Sequence, residues 1–136
     1  MLKTGLESSA YIFGNNYVEG MRKMKKHGYD CMDFSDFTPP DSILYSLEKN
    51  EFDNYFKEFK RAADSEGIEV WQMHGIWPHD DSTEYLREQT ALHDEKAIRA
   101  AGILGCKYFV IHPALPYGWG VEPSVQDAKR LTETRI

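Results

Sequence analysis

Positive charge, cysteine and long apolar runs are scarce in this sequence, and each shortage closes off a class of function. No run approaches the roughly 20 apolar residues that a bilayer-spanning helix needs, so no membrane segment is expected. The opening Met1-Leu-Lys-Thr-Gly5 has no apolar core of the kind a secretory leader carries. A net charge of −6 argues against nucleic acid as a partner. The two cysteines, Cys31 and Cys106, stand far apart at strand-like positions and form neither a metal-binding nor a redox spacing. Buried free thiols in a reducing compartment are the expectation, and with them a cytoplasmic location. No G-x-G-x-x-G turn follows the first strand-like segment, which argues against a doubly wound dinucleotide fold.

What is present is the composition of an ordinary globular domain, 41% apolar and 28% charged, in a length that suits a single unit over residues 1–136. The chemistry concentrates in Leu104-Gly-Cys-Lys-Tyr-Phe-Val-Ile-His-Pro113. Gly105 ends a helix, because glycine reaches the left-handed conformation of a helix C-terminus without a Cβ clash. Tyr108 to Ile111 is an aromatic and β-branched run, the pattern of a parallel strand covered on both faces. His112-Pro113 stops it, since proline has no N–H for the ladder. An imidazole at the carboxyl end of a parallel strand stands where α/β folds place ligands. The alternative is a histidine hydrogen-bonded at a core edge.

The same grammar recurs upstream. Gly67 closes a helix over Phe52–Glu66, whose Phe52, Tyr55, Phe56, Phe59 and Ala63 repeat at three and four and read as core. Ile68 to Met73 follows as a strand, and His74-Gly75 ends it. Earlier, a helix from Tyr17 ends at His27-Gly28. Tyr29 to Phe34 is then a strand with Cys31 and Asp33 on one face and Met32 and Phe34 on the other. Residues 2–7 make a weaker first strand. Arg22, Lys23, Lys25 and Lys26 suit the negative end of the first helix's dipole, with a phosphate or nucleic-acid patch as the sharper alternative. Asp33, near its strand's carboxyl end, is a candidate site residue; a loop-capping carboxylate is the alternative. Residues 35–46, with Pro39-Pro40, read as a loop or lid. Asp81 and Glu84 have capping-box spacing, so Asp81 is the expected N-cap of a helix running to Leu104. That helix packs through Leu86, Thr90, His93, Ala97, Ala101 and Leu104, and His93, in mid-helix, reads as packed rather than as a ligand. Trp77 and Trp119 sit in the loops after the third and fourth strands. Glu122-Pro123-Ser124 opens a further helix over residues 126–135.

Strand starts near residues 2, 29, 68 and 107, each pair separated by a helix, imply parallel pairing through right-handed crossovers. The fold class is therefore α/β. Parallel (β/α) units without a phosphate loop point to a (β/α)8 barrel, which takes about 250 residues. Four units match the first half of one, so the chain is expected to be truncated after its fourth βα unit. Two open sheet edges invite a homodimer, or a non-catalytic half-barrel fragment that self-associates. If His112 points into the barrel, Tyr108 and Val110 do too, and Phe109 and Ile111 pack on helices. His74 likewise carries Gln72 and Val70 inward and leaves Met73 and Trp71 to the helix layer. His74, His112 and Asp33 then face one pocket at the strand ends, roofed by Trp77 and Trp119.

Leu104-Gly105, the strand from Tyr108 to Ile111 and His112-Pro113 resemble the Leu-Gly…His-Pro-Gly signature of the xylose-isomerase-like TIM barrels, with Ala114 in place of the last glycine. Gly67 to His74 is similar to that superfamily's third strand, and Gly28 to Asp33 to its second. The superfamily includes sugar and sugar-phosphate isomerases and epimerases and the family 2 AP endonucleases. The resemblance implies an isomerase or epimerase acting on a small-molecule sugar or sugar phosphate, by metal-assisted proton transfer next to a carbonyl. It implies a divalent metal ion (Mn, Mg, Co or Zn) whose ligands lie mostly on the other half of the barrel, with His74 and His112 as the metal candidates here. Asp33, His74, Trp77, His112 and Trp119 become the expected substrate-binding residues, and the chain alone is expected to lack appreciable turnover. The alternative within the superfamily is a metal-dependent AP-endonuclease-like phosphodiesterase, in which strand-end histidines resemble zinc ligands.

Overall fold

The computed structural model describes residues 2–113 together with 120, 122, 124–126 and 129. Trp119 and most of the expected helix over 126–135 lie outside the described residues. Strands β1 (Gly5–Glu7), β2 (Cys31–Phe34), β3 (Glu69–His74) and β4 (Tyr108–Val110) alternate with helices α1 (Tyr17–Lys26), α2 (Lys49–Glu66) and α3 (Glu84–Leu104). The strands form one sheet in sequence order, each neighbouring pair parallel, as the βα alternation predicts. The sheet is open, with β1 and β4 at its edges. No helix among the described residues is long and apolar enough to cross a membrane.

The core lies between the sheet and the helices. Met32 and Phe34 of β2 and Val70 and Met73 of β3 meet Met21 and Met24 of α1 and Phe52, Phe56 and Phe59 of α2. Helix α3 contributes Ala97, Ala100 and Ala101, whose small side chains permit close approach, and Leu104. The three-and-four stripe of α2 is buried as its period predicts, although the helix begins earlier than expected, at Lys49. Gly67 and Gly105 close α2 and α3 in the left-handed conformation, with φ of 67° and 68°. The basic end of α1 is engaged in ion pairs, Arg22 with Glu66, Lys23 with Glu19 and Lys25 with Asp30. Cys31 is buried, Cys106 half-buried, and both are free thiols.

Strict alternation fails in β3. Met32 pairs with Val70, but Asp33 pairs with Gln72, so Trp71 is an extra residue in a β-bulge. Val70, expected to face inward, therefore joins Met32 in the helix-side core at 3% exposure. Trp71, expected among the helices, lies instead against Tyr108, ring centroids 5.8 Å apart, with the Lys107 ammonium 4.1 Å above it. The expectation for β4 also needs correction. The strand stops at Val110, the partner of His74, and Ile111 is exposed rather than packed on a helix, because an edge strand has no neighbour beyond it to hold it in the pleat. Tyr108 is exposed, while Phe109 packs half-buried against the core.

Residues 35–46 form a loop, with a short 3-10 turn at Ile43–Tyr45, that is anchored to the core. Phe37, Leu44 and Tyr45 are buried, the Tyr45 hydroxyl donates to the Phe37 carbonyl, and the Lys96 ammonium donates to the Tyr45 and Leu47 carbonyls. His93 stacks on Tyr45 with centroids 3.8 Å apart, a packed helical histidine as expected.

The N-cap of α3 is Thr83 and not Asp81. Thr83 is extended, and its hydroxyl accepts from the Leu86 amide at 3.2 Å. Asp81 turns inward at 5% exposure, its carboxylate 3.7 Å from His79 Nδ1 and 3.9 Å from Arg87 Nε. Thr83→Ala is expected to cost about 1 kcal/mol of unfolding free energy in a urea titration, the usual worth of such a cap. An unchanged transition would return the cap to another residue.

Candidate functional site

The carboxyl ends of all four strands open on one cavity of about 600 Å³. Glu7 reaches it from β1, Asp33 from β2, His74 from β3 and His112 from the residues just past β4. This is the end of the sheet at which parallel α/β folds collect ligand-binding side chains.

The bulge at Trp71 sets Asp33 level with Gln72, whose Nε2 donates to Asp33 Oδ2 at 3.0 Å. His74 Nδ1 lies 3.0 Å from Oδ1 of the same carboxylate and 2.9 Å from Oδ2. A carboxylate so placed draws the imidazole proton to Nδ1 and leaves Nε2 as the lone-pair nitrogen of the neutral ring. The Gly75 amide donates to the Val110 carbonyl at 3.0 Å, extending the ladder past His74 and bringing His112 alongside. A Cβ on residue 75 would stand 3.0 Å from Asp94 Oδ1 and 3.1 Å from the Phe109 ring, so glycine is what lets this strand end close against α3 and β4.

The His74 and His112 rings stack, centroids 5.4 Å apart with 20° between planes. Trp77 covers His112 at 5.1 Å, and its backbone amide donates to the Thr38 carbonyl at 2.8 Å, tying the loop after β3 to the loop after β2. Burial, then the neighbouring His74 and His79 rings, hold the His112 imidazole below the ordinary histidine value of 6.5. Among the described residues, its Nε2 is buried without a hydrogen-bond partner. A neutral ring with an unsatisfied nitrogen in a cavity wall is a waiting contact for a polar ligand. Behind this wall His79 Nε2 contacts Asp94 Oδ2 at 3.1 Å.

The structure therefore brings together four of the five expected site residues, Asp33, His74, Trp77 and His112, while Trp119 lies outside the described residues. It adds a wall that sequence reasoning missed. Glu7 accepts from the hydroxyls of Ser35 and Ser9 and from the Ser9 amide. Burial by itself would raise the Glu7 carboxyl, but those donors outweigh it and hold it below the ordinary value. Asp36 lines the same wall, and burial first, then the Glu7 charge, push its carboxyl up to about 6, against the Ser8 hydroxyl that favours ionisation. The signals were the end position of Glu7 on its strand and the Ser35-Asp36 pair directly after β2, but neither has a spacing that names it.

A divalent metal does not find its ligand set here. Among the described residues no group of three or more histidine, cysteine or carboxylate side chains converges to hold one. His74 and His112 present stacked ring faces, and His74 Nδ1 is engaged by Asp33. Two imidazoles fall short of the three or four protein ligands that a stable zinc site takes. A second cavity, about 540 Å³, opens at the opposite end of the strands beside Lys3, Asp30, Lys60, Asp64 and Glu69. Its charges pair with one another or with Lys25 and Lys107, as expected of a solvated barrel base.

Residues 21–134 match the family described as xylose isomerase-like TIM barrel. Among solved structures the chain is similar to 3-keto-D-glucoside 4-epimerase from E. coli, at 22% identity and TM-score 0.61, over 98% of this chain and 51% of that one. It is similar to a sugar phosphate isomerase/epimerase from Parabacteroides distasonis, at 20% identity and TM-score 0.60, over 96% and 44%. A D-psicose 3-epimerase crystallised in the presence of D-fructose aligns at 16% identity and TM-score 0.65, over 97% and 45%. The chain thus spans about half the length of these proteins, and at such identities the likeness is one of fold. Nothing among curated proteins matches it.

Proposed function

We propose that this chain, which belongs to the xylose isomerase-like TIM barrel family, supplies one half of the substrate-binding rim of a sugar isomerase or epimerase. The observation that carries the reading is the wall formed by His74, His112 and Trp77 at the carboxyl ends of adjacent parallel strands. The sugar isomerases and epimerases among the similar folds support it.

Each side chain has a part that its chemistry suits. His74 Nε2, its tautomer set by Asp33, accepts from a sugar hydroxyl, and His112 Nε2 gains in the ligand the partner it otherwise lacks. The Trp77 face covers the C–H side of the sugar, the apolar surface that carbohydrates offer an indole. Isomerisation or epimerisation needs a proton moved at a carbon beside a carbonyl, and a divalent metal would help by polarising that carbonyl. The described residues do not fit such an ion, so the work assigned to this chain is binding and orientation. The chain by itself is accordingly expected to bind sugar without appreciable turnover. The wall holds carboxylates and no lysine or arginine among the described lining residues, which disfavours the phosphodiesterase alternative with its polyanionic substrate.

The test is a calorimetric or NMR titration of the chain with a ketohexose. His112→Ala and His74→Ala, made separately, are each expected to weaken binding about tenfold, the loss of one hydrogen bond to a buried polar partner. Far-UV circular dichroism should be unchanged, because both rings lie at the cavity and outside the core. If both variants fold and bind like the parent, the histidines are structural and the proposed rim is wrong.

A further inference from the structure

Resting on the sugar reading above, we infer that this cavity takes a neutral, unphosphorylated sugar and rejects its phosphate ester, with the Glu7 and Asp36 carboxyls gripping hydroxyls on the β1–β2 side. The basis is the charge of the lining. Glu7, Asp33 and Asp36 all face the cavity, and no lysine or arginine stands among the described residues that line it. Neither imidazole supplies the missing cation. His74 is committed to the Asp33 carboxylate. His112 is buried beside His74 and disfavours protonation.

Seven cations among the described residues are committed elsewhere. Lys3, Lys60 and Lys107 pair with Glu69 or Asp64 around the opposite end of the strands. Arg22 holds Glu66, Arg87 holds Glu84, Arg99 forms a two-point pair with Asp53, and Lys96 is tied to backbone carbonyls. Helix N-termini are the other common phosphate binders, yet no first-turn residue of α1, α2 or α3 lines this cavity. A phosphate group, carrying about −1.5 to −2 at neutral pH, would enter a wall of like charge with no donor built to receive it. A sugar hydroxyl suits that wall, because it donates to an ionised carboxylate and accepts from a protonated one. Glu7 is the fixed acceptor, clamped by Ser9 and Ser35. Asp36 can serve in either state, with the Glu7 charge and Tyr55 as the titratable groups facing it.

The experiment titrates the full chain at pH 7 and low salt with D-fructose, D-fructose 6-phosphate and inorganic phosphate. The expected result is binding of the neutral sugar, an ester at least tenfold weaker, and no response to phosphate. In a Glu7→Gln, Asp36→Asn double variant the neutral sugar should weaken while the gap to the ester narrows. Asp36→Asn alone serves if the double variant does not fold. An ester that binds as tightly as fructose, or more tightly, overturns the inference and leaves the sugar reading standing. A gap and a fructose affinity that are both unchanged in the folded variants overturn the assigned grip. If neither fructose nor its ester binds at any accessible concentration, both readings fall together.

Discussion

Phe56→Ala is expected to remove about 3–5 kcal/mol of stability, the range for deleting a fully buried aromatic ring. For a domain whose whole stability is on the order of 5–15 kcal/mol, that is enough to populate the unfolded state strongly. Phe56 is 0% exposed and sits at the junction of α2 with β2 and the segment that follows it. Its ring stacks on Phe37 at 5.6 Å, meets Phe34 edge-on at 5.9 Å and lies 4.7 Å from Phe52. Removing it leaves a void bordered by rigid rings, which collapse poorly, so the cavity term adds to the lost transfer energy. The effect should extend to the site. Phe37 anchors the turn that carries Asp36 and Thr38, both in the cavity wall, and Thr38 in turn holds Trp77 through its carbonyl. Urea titration of parent and variant reads the stability loss, and a sugar titration under native conditions reads the site. Phe56→Leu, which keeps most of the volume, is expected to lose clearly less. A loss under about 1 kcal/mol for the alanine variant would mean that the aromatic cluster does not bear on the fold.

The order of the fold was legible because its signals are local. Gly67 and Gly105 mark helix ends through a backbone conformation that glycine adopts freely, and each is followed by an apolar run of strand length. Once the strands are parallel and consecutive, His74 and His112 must emerge together, and Asp33 lies on the strand next to His74. What stayed illegible depends on contacts made across the chain. The bulge at Trp71 swaps the faces expected for Val70 and Trp71, and nothing in the run Glu69-Val-Trp-Gln-Met-His74 announces an extra residue. Asp81 has the spacing of a cap, but the site behind it, with His79 and Arg87, draws it inward and leaves the cap to Thr83. Ile111 looked buried on composition alone, because an apolar run does not say which strand will be an edge. The Glu7–Ser35–Asp36 wall was missed because it joins the end of a three-residue strand to a loop 28 positions away in the sequence.

Asp36→Asn is expected to stabilise the chain by about 2–3 kcal/mol at pH 7.5 and to leave it nearly unchanged near pH 4. The Asp36 carboxyl is pushed from 3.8 to about 6 by burial first and by the Glu7 charge second. The folded state therefore binds this proton more tightly than the unfolded chain does. Between about pH 4 and 6 the folded chain keeps a proton that the unfolded chain has released, so stability falls as pH rises through that window. Above it, the ionised carboxylate sits desolvated beside Glu7, and the full penalty is present. Asparagine carries no such charge and can still accept from the Ser8 hydroxyl through its Oδ1. Glu7→Gln removes the second cause and should lower the Asp36 value toward its ordinary range, but it also forfeits the Ser9 and Ser35 hydrogen bonds to an ionised Glu7. Urea titrations of parent and Asp36→Asn at pH 4 and pH 7.5 separate the two regimes. A gain of equal size at both values would assign the effect to packing rather than charge, and no gain at pH 7.5 would show that Asp36 is solvated in the folded chain.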